Sequence, residues 1–216
     1  MITRINLEDE IRNILLNKIL SGVFDEGERV QLDQLEEELG VSRTPILGAL
    51  KKLASDGLLY TSRGAGFYVS RFEAQDAYEL EEGVHMIDSM SCKRILKLSL
   101  EERKSVVEQL LAFAEQCQVA YDGAVLNDYL MADQEFHLAV VSFLNNKRVY
   151  KFYRQMFRQI SLARHIAQGK KGAQGQELHP GDHFLICEYL RDSKPEKLTR
   201  LLKEHTNFSV RIILGE

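Results

Sequence analysis

Gly40-Val41-Ser42-Arg43-Thr44-Pro45-Ile46-Leu47-Gly48-Ala49-Leu50 carries the signals of a helix beginning after a tight turn. Ser42 is a residue type that caps helices, and Pro45 is tolerated in a first turn, where its missing N–H would be unpaired anyway. Ile46, Leu50 and Leu53 recur at the spacing of one buried face, and Gly57 follows as a stop. Upstream, Leu32 to Leu39 reads as a second short helix with Asp33 as its expected N-cap and Gly40 as its end. Two short helices joined by a glycine-containing turn make a helix-turn-helix. Ser42, Arg43 and Thr44 then stand at a helix N-terminus, where hydroxyls, free amides and a guanidinium can meet phosphates and base edges together. Arg43 is suited to a bidentate guanine contact.

Working outward, Leu7, Ile11, Ile14, Leu15 and Ile19 form the stripe of a first helix that stops at Ser21-Gly22. Phe24 to Glu28 is rich in turn residues. Beyond the third helix, Leu58 to Val69 contains two β-prone runs around Gly64-Ala65-Gly66, a hairpin in the position of a wing. After a short polar linker, glycine and proline thin out and helical periodicity continues to the end. The expected fold is therefore mainly α: a winged helix-turn-helix over 1–70, a linker over 71–75 and an all-α bundle over 76–216. Within the bundle, helices are expected at 76–97, 100–121, 126–145, 147–168, 178–192 and 195–213, with a mobile loop from Gly169 to Gly175.

Composition bounds the rest. The chain has 216 residues, 44% of them hydrophobic, enough to bury cores without staples. Cys92, Cys117 and Cys187 are odd in number and widely spaced, which argues against a disulfide framework and for a reducing compartment. No secretory-type N-terminus and no apolar run near the ~20 residues of a membrane span is evident, so a cytoplasmic location is expected. The net charge of −4 counts against a nucleic-acid partner. Through Phe72 there are nine Lys and Arg against eleven Asp and Glu, so any positive face must be local.

The second half holds a sharper pattern. On the run from Leu126 to Leu144, Asp133 and His137 fall on the apolar stripe of Leu126, Leu130, Val140 and Leu144. His183 shares a face with Ile186, Cys187 and Leu190, and His205 lies among Leu198, Leu201, Leu202 and Ile212. A buried carboxylate costs several kcal/mol unless paired or coordinated, and convergence of these four side chains on a divalent cation would account for it. One carboxylate with three imidazoles suits zinc first, with nickel, manganese and iron as alternatives.

These motifs carry a resemblance. SGVFDEGERV, LGVSRTP, LASDGLL and RGAGFYV, in that order, resemble the DNA-binding domain of the GntR family. ADQEFHLAVVSFLNN, HFLICEYLRD and LLKEHTNFS resemble the FCD ligand domain of its FadR-like branch. The resemblance implies DNA contacts at Ser42, Arg43 and Thr44, with Arg63 and Gly64 on the wing in the minor groove. It implies metal ligation by Asp133, His137, His183 and His205 beside a cavity where a small organic acid completes the coordination. Three positions depart from the family pattern. Leu47-Gly48 stands where Arg-Glu is usual, Asp33 replaces a DNA-contacting arginine, and Glu81 replaces an arginine that would pair with a carboxylate ligand. Glu81 either faces the cavity, where it would repel an acid, or lies on a solvated face. Arg154, Arg158 and Arg164 are read as solvated charges, one of which could reach an anion, while His85, His165 and His179 lie outside the ligand set.

The expected function is a non-enzymatic, dimeric transcription regulator, a repressor, binding double-stranded operator DNA under control of a carboxylate effector at the metal. The alternative is a metal-dependent hydrolase or lyase using the same four ligands. That chemistry wants a general base and oxyanion donors, and the unassigned Glu135 and Glu204 sit one residue off the inward stripes. A metal-free bundle serving only dimerisation is the third reading.

Overall fold

The structure is a computed structural model that describes residues 7–62, 66–171 and 178–215. The chain divides into two compact units, Met1–Phe72 and Glu73–Glu216.

The first unit contains α1 (Leu7–Leu20), α2 (Leu32–Leu39), α3 (Arg43–Ser55), β1 (Leu59–Thr61) and β2 (Phe67–Val69). Ile11, Leu15 and Ile19 of α1 pack with Leu35, Ile46, Leu50 and Leu53 into a closed core. Ile14 points to solvent instead, and Leu16 and Leu20 take up the burial expected of it. Gly40 adopts φ 64° where α2 ends, a left-handed conformation that lets the chain reverse into α3 within two residues. The N-cap of α2 is Gln31, not Asp33, which lies in the first turn. Ser42 occupies the N-cap of α3 with extended backbone, but its hydroxyl makes no capping bond. β1 and β2 pair antiparallel with Leu59 opposite Val69 and Thr61 opposite Phe67. The turn-rich stretch before α2 adds a third edge to this wing, because Val30 N–H donates to Phe67 at 2.9 Å and Val69 N–H to Glu28 at 2.9 Å.

The second unit is built from α4 (Ala74–Leu96), α5 (Leu100–Asp122), α6 (Leu126–Ser142), α7 (Lys147–Lys171), α8 (Gly181–Arg191) and α9 (Pro195–Leu214). α4 thus begins inside the stretch read as linker, fixed by a capping box in which Asp76 accepts from the Glu73 N–H. Ser99 and Glu102 cap α5 in the same reciprocal way. α7 continues through Gly169-Lys170-Lys171, which were expected to open a loop, and the remainder of that loop lies outside the described residues.

α6 is the central helix. One apolar cluster, containing Leu110, Phe136, Val140, Ile186, Leu190 and Leu202, packs it against α5, α8 and α9. A second, containing Val84, Leu138, Val141, Tyr153, Phe157 and Ile160, packs it against α4 and α7. Because α6 is enclosed by both clusters, a polar residue on its buried face must find a partner inside the bundle.

Candidate metal centre and nucleic-acid surface

Asp133 and His137 lie one turn apart on the enclosed helix α6, His183 projects from the first turn of α8, and His205 from the middle of α9. The four residues offer donor atoms that all lie within 4.8 Å of one another. Donors ~2.0–2.2 Å from a common ion span nearly that much, so a small contraction would bring all four into coordination. Asp133, His137 and His183 are buried, and His205 is the one of the four that keeps some access to solvent.

Two of the three histidines are aimed by carboxylates behind them, while His183 Nδ1 is buried without a hydrogen-bond partner among the described residues. His137 Nδ1 lies 3.1 Å from Asp88 Oδ2, and the Tyr153 hydroxyl donates to Asp88 Oδ1 at 2.8 Å. His205 Nδ1 lies 3.0 Å from Asp182 Oδ2. These two imidazoles therefore each give Nδ1–H to a carboxylate and present Nε2 to the centre, the arrangement that fixes the tautomer of a ligating histidine and raises its basicity. His183 stacks on Phe136, with ring centroids 4.2 Å apart. Burial drives its pKa down to about 4, which leaves the ring neutral and its lone pair available.

The donors facing the centre are unpaired. Asp133 Oδ1, His183 Nε2 and His205 Nε2 are buried and have no hydrogen-bond partner. His183 Nε2 does approach Asp133 Oδ1 to 3.2 Å, but the two are not aligned for a hydrogen bond. Orphaned buried polar atoms are rare because each forfeits its hydration, and three converging on one point fit a cation between them. The other oxygen of Asp133 is satisfied, accepting from Arg164 Nη1 at 2.8 Å. Burial opposes the charge on Asp133, but Arg164 above all, and the neighbouring imidazoles, hold its carboxyl well below the usual carboxylate range.

Arg164 was expected to be solvated and is buried, 6% exposed. Its Nε and Nη2 donate to Ser209 Oγ at 2.9 and 2.6 Å, and the Ser209 hydroxyl in turn donates to Glu81. Glu81 is 3% exposed, which removes the solvated reading of that residue. Cys92, Cys117 and Cys187 are free thiols in the core, and burial raises the pKa of each, so they do not compete as thiolate ligands.

On the first unit, Ser42, Arg43 and Thr44 are exposed together at the start of α3. Lys51, two turns along, adds an exposed ammonium to that helix. Arg43 is already engaged: its guanidinium pairs with Asp33, and Nη2 lies 3.0 Å from Glu36. The carboxylate of Asp33 thus acts directly on the Arg43 guanidinium. Glu8 of α1 lies over Gly48 so closely that a Cβ there would collide with it, and Glu8 Oε1 pairs with Lys52 at 2.8 Å. Arg63 and Gly64 lie outside the described residues.

The gntR family of bacterial regulatory proteins is matched over residues 7–69, and the FCD domain over residues 94–208. The chain belongs to the GntR family. It is 26% identical over 182 residues to the Nta operon transcriptional regulator of Aminobacter aminovorans, covering 84% of this chain and 82% of that one. It is 28% identical over 137 residues to an uncharacterized HTH-type transcriptional regulator, YdhC, of Bacillus subtilis, covering 63% of this chain and 60%, less than two thirds, of that one. Among solved structures, E. coli McbR/YncC has a TM-score of 0.81 at 19% identity, covering 98% of both chains. A GntR regulator from Rhodococcus sp. RHA1 has a TM-score of 0.80 at 20% identity, covering 96% of this chain and 97% of that one. At these identities the two structures speak for the fold.

Within this GntR-family chain, Asp88, Tyr153, Arg164 and Ser209 complete the centre; Asp88, Tyr153 and Ser209 were not singled out from sequence, and Arg164 was read there as one of three solvated arginines. Arg164 falls on the buried stripe Tyr153, Phe157, Ile160, Arg164 and Ala167 of α7, the same signal that revealed Asp133. Asp88 likewise shares the inner face of α4 with Glu81, Val84, Ser91 and Ile95. Asp182, at the start of α8, has no such marker.

Proposed function

We propose that this GntR-family regulator is a repressor that binds operator DNA as a homodimer and is controlled through a divalent metal at Asp133, His137, His183 and His205. The observation that carries this reading is the convergence of orphaned, buried donor atoms from α6, α8 and α9. When bound, a divalent ion would supply a Lewis-acidic position for a donor atom of an effector, and zinc is the first choice for this donor set. The chain's own part is mechanical. α8 and α9 each bring a single ligand to the pair on α6, so a ligand that alters the fit at the centre acts on the packing of these three helices. Its leverage is its difference in affinity between two arrangements of those helices.

On the DNA side, Ser42, Arg43 and Thr44 would enter the major groove, with Arg63 and Gly64 on the wing as further contacts. Tyr78, Met86 and Met90, exposed by 52%, 61% and 59%, lie on one side of α4 and supply apolar surface for a second copy. The relatives named for the Nta operon and for gluconate and histidine pathways are transcriptional regulators or repressors, which favours regulation over hydrolysis or lyase chemistry.

The test is an anisotropy titration of DNA from upstream of the chain's own gene with zinc-loaded and with chelator-treated protein. Specific binding that shifts at least several-fold with metal is expected. Binding no tighter than to random DNA in both states would remove the operator claim, and specific binding indifferent to metal would remove the control claim.

A further inference from the structure

The charge around the centre is poorly suited to holding a simple acid. Asp133, Asp88, Asp182 and Glu81 place four carboxylates around it, against one buried guanidinium, Arg164. A divalent ion would leave this group with more negative charge than positive. Arg164, the cation a ligand carboxylate would seek, has its fork engaged: Nη1 on Asp133, Nε and Nη2 on Ser209, with Glu81 Oε1 a further 3.9 Å from Nη2. Ser209 accepts from Arg164 and donates to Glu81, so the direction of this chain of hydrogen bonds makes Glu81 an acceptor. Burial raises the pKa of Glu81, while Arg164 and the Ser209 hydroxyl favour its ionised form.

We propose that Glu81 is a specificity-determining residue that makes this centre select an amine-bearing small molecule, zwitterionic or cationic, over a simple organic acid. Glu81 acts as a built-in counter-anion. It occupies Arg164 and repels an added carboxylate, while an ammonium on the ligand restores the balance. Like charges repel more strongly in a protein interior than in water, so the preference is expected to exceed tenfold. The inference rests on the metal reading and deepens it.

The experiment uses the full chain loaded with Co(II), whose visible ligand-field spectrum reports what enters the metal's coordination. Acetate and betaine (trimethylglycine) share a carboxylate and differ by a quaternary ammonium, which carries the positive charge but cannot itself coordinate the metal as the amine of glycine would. Wild-type protein is expected to bind betaine at least tenfold more tightly than acetate, each read as a shift of the protein-bound cobalt spectrum. Glu81→Gln, with helix content checked by circular dichroism, is expected to bind acetate at least tenfold more tightly than wild type and to lose the preference for betaine. Acetate equal to or tighter than betaine on wild type overturns the proposal without recourse to the variant. So does a folded Glu81→Gln protein whose acetate affinity is unchanged within twofold. Failure of wild-type protein to take up cobalt at all is a different outcome, which removes the metal reading and this inference with it.

Discussion

Replacing Asp88 with Asn is the sharpest perturbation of the centre that spares its ligands. Asp88 is buried, with His137 Nδ1 3.1 Å from one oxygen and the Tyr153 hydroxyl 2.8 Å from the other. Asparagine is isosteric: its oxygen can keep the bond from His137, while Tyr153 can turn its hydroxyl to accept from the new amide. What disappears is the negative charge behind the imidazole, which makes Nε2 a better donor to a cation. Carboxylates in this position are typically worth 10–100-fold in metal affinity, or about 1.4–2.7 kcal/mol. Asp182→Asn should fall at the lower end of that range, because the side chains of Asp182 and His205 keep 19% and 12% exposure and water can replace part of the interaction. The assay is zinc competition against a chromogenic chelator, with circular dichroism to confirm an intact bundle. Tyr153→Phe, which keeps the charge and loses one bond, should cost less than tenfold. Zinc affinity of a folded Asp88→Asn protein within twofold of wild type would refute the reasoning.

Three further outcomes follow from the first unit and from metal removal. Asp33→Asn releases one partner of Arg43, an exposed pair worth about 0.2–1 kcal/mol, and should tighten DNA binding about 1.5- to 5-fold at low salt while steepening the salt dependence; weaker binding in an anisotropy titration would contradict it. Leu50→Ala empties a fully buried position between α1 and α3 and should destabilise the first unit by about 2–5 kcal/mol in urea denaturation; a loss under 1 kcal/mol would mean that core is less close-packed than described. Chelation should lower the melting temperature of the second unit, since an ion present at 100 times its Kd stabilises by about 2.7 kcal/mol; an unchanged melting curve for initially metal-loaded protein would count against the site.

The helix-turn-helix was legible in the sequence because its punctuation is local: Gly40 and Gly57 take left-handed φ at their own turns, and Ser42 and Pro45 stand at the start of α3. The bundle was legible because α6, carrying apolar residues on both sides, also carries Asp133 and His137 on an inward stripe. Other features depended on contacts between distant segments. Asp33 looked like a cap, and its role emerged only when the turn at Gly40 brought Arg43 back over α2. Glu81 and Arg164 are long charged side chains, which are ordinarily solvated; here they are buried with partners far along the chain, Ser209, 128 residues after Glu81, bonding to both and Asp133 pairing with Arg164. The third edge of the wing is a pairing across more than 35 residues, between a turn-rich segment and β2. Stripe position rather than residue type was the informative signal, and applied to α4 and α7 it would also have found Asp88 and Arg164.

The metal centre is tested most directly by counting the metal. Purified full-length protein, loaded with zinc and dialysed against buffer with a weak competing chelator, should retain one ion per chain by inductively coupled plasma mass spectrometry. His183→Ala, which removes a sealed ligand, should retain far less under the same conditions. Wild-type protein with native helix content that retains no stoichiometric metal, or a folded His183→Ala protein that retains as much as wild type, would contradict the assignment of these four residues.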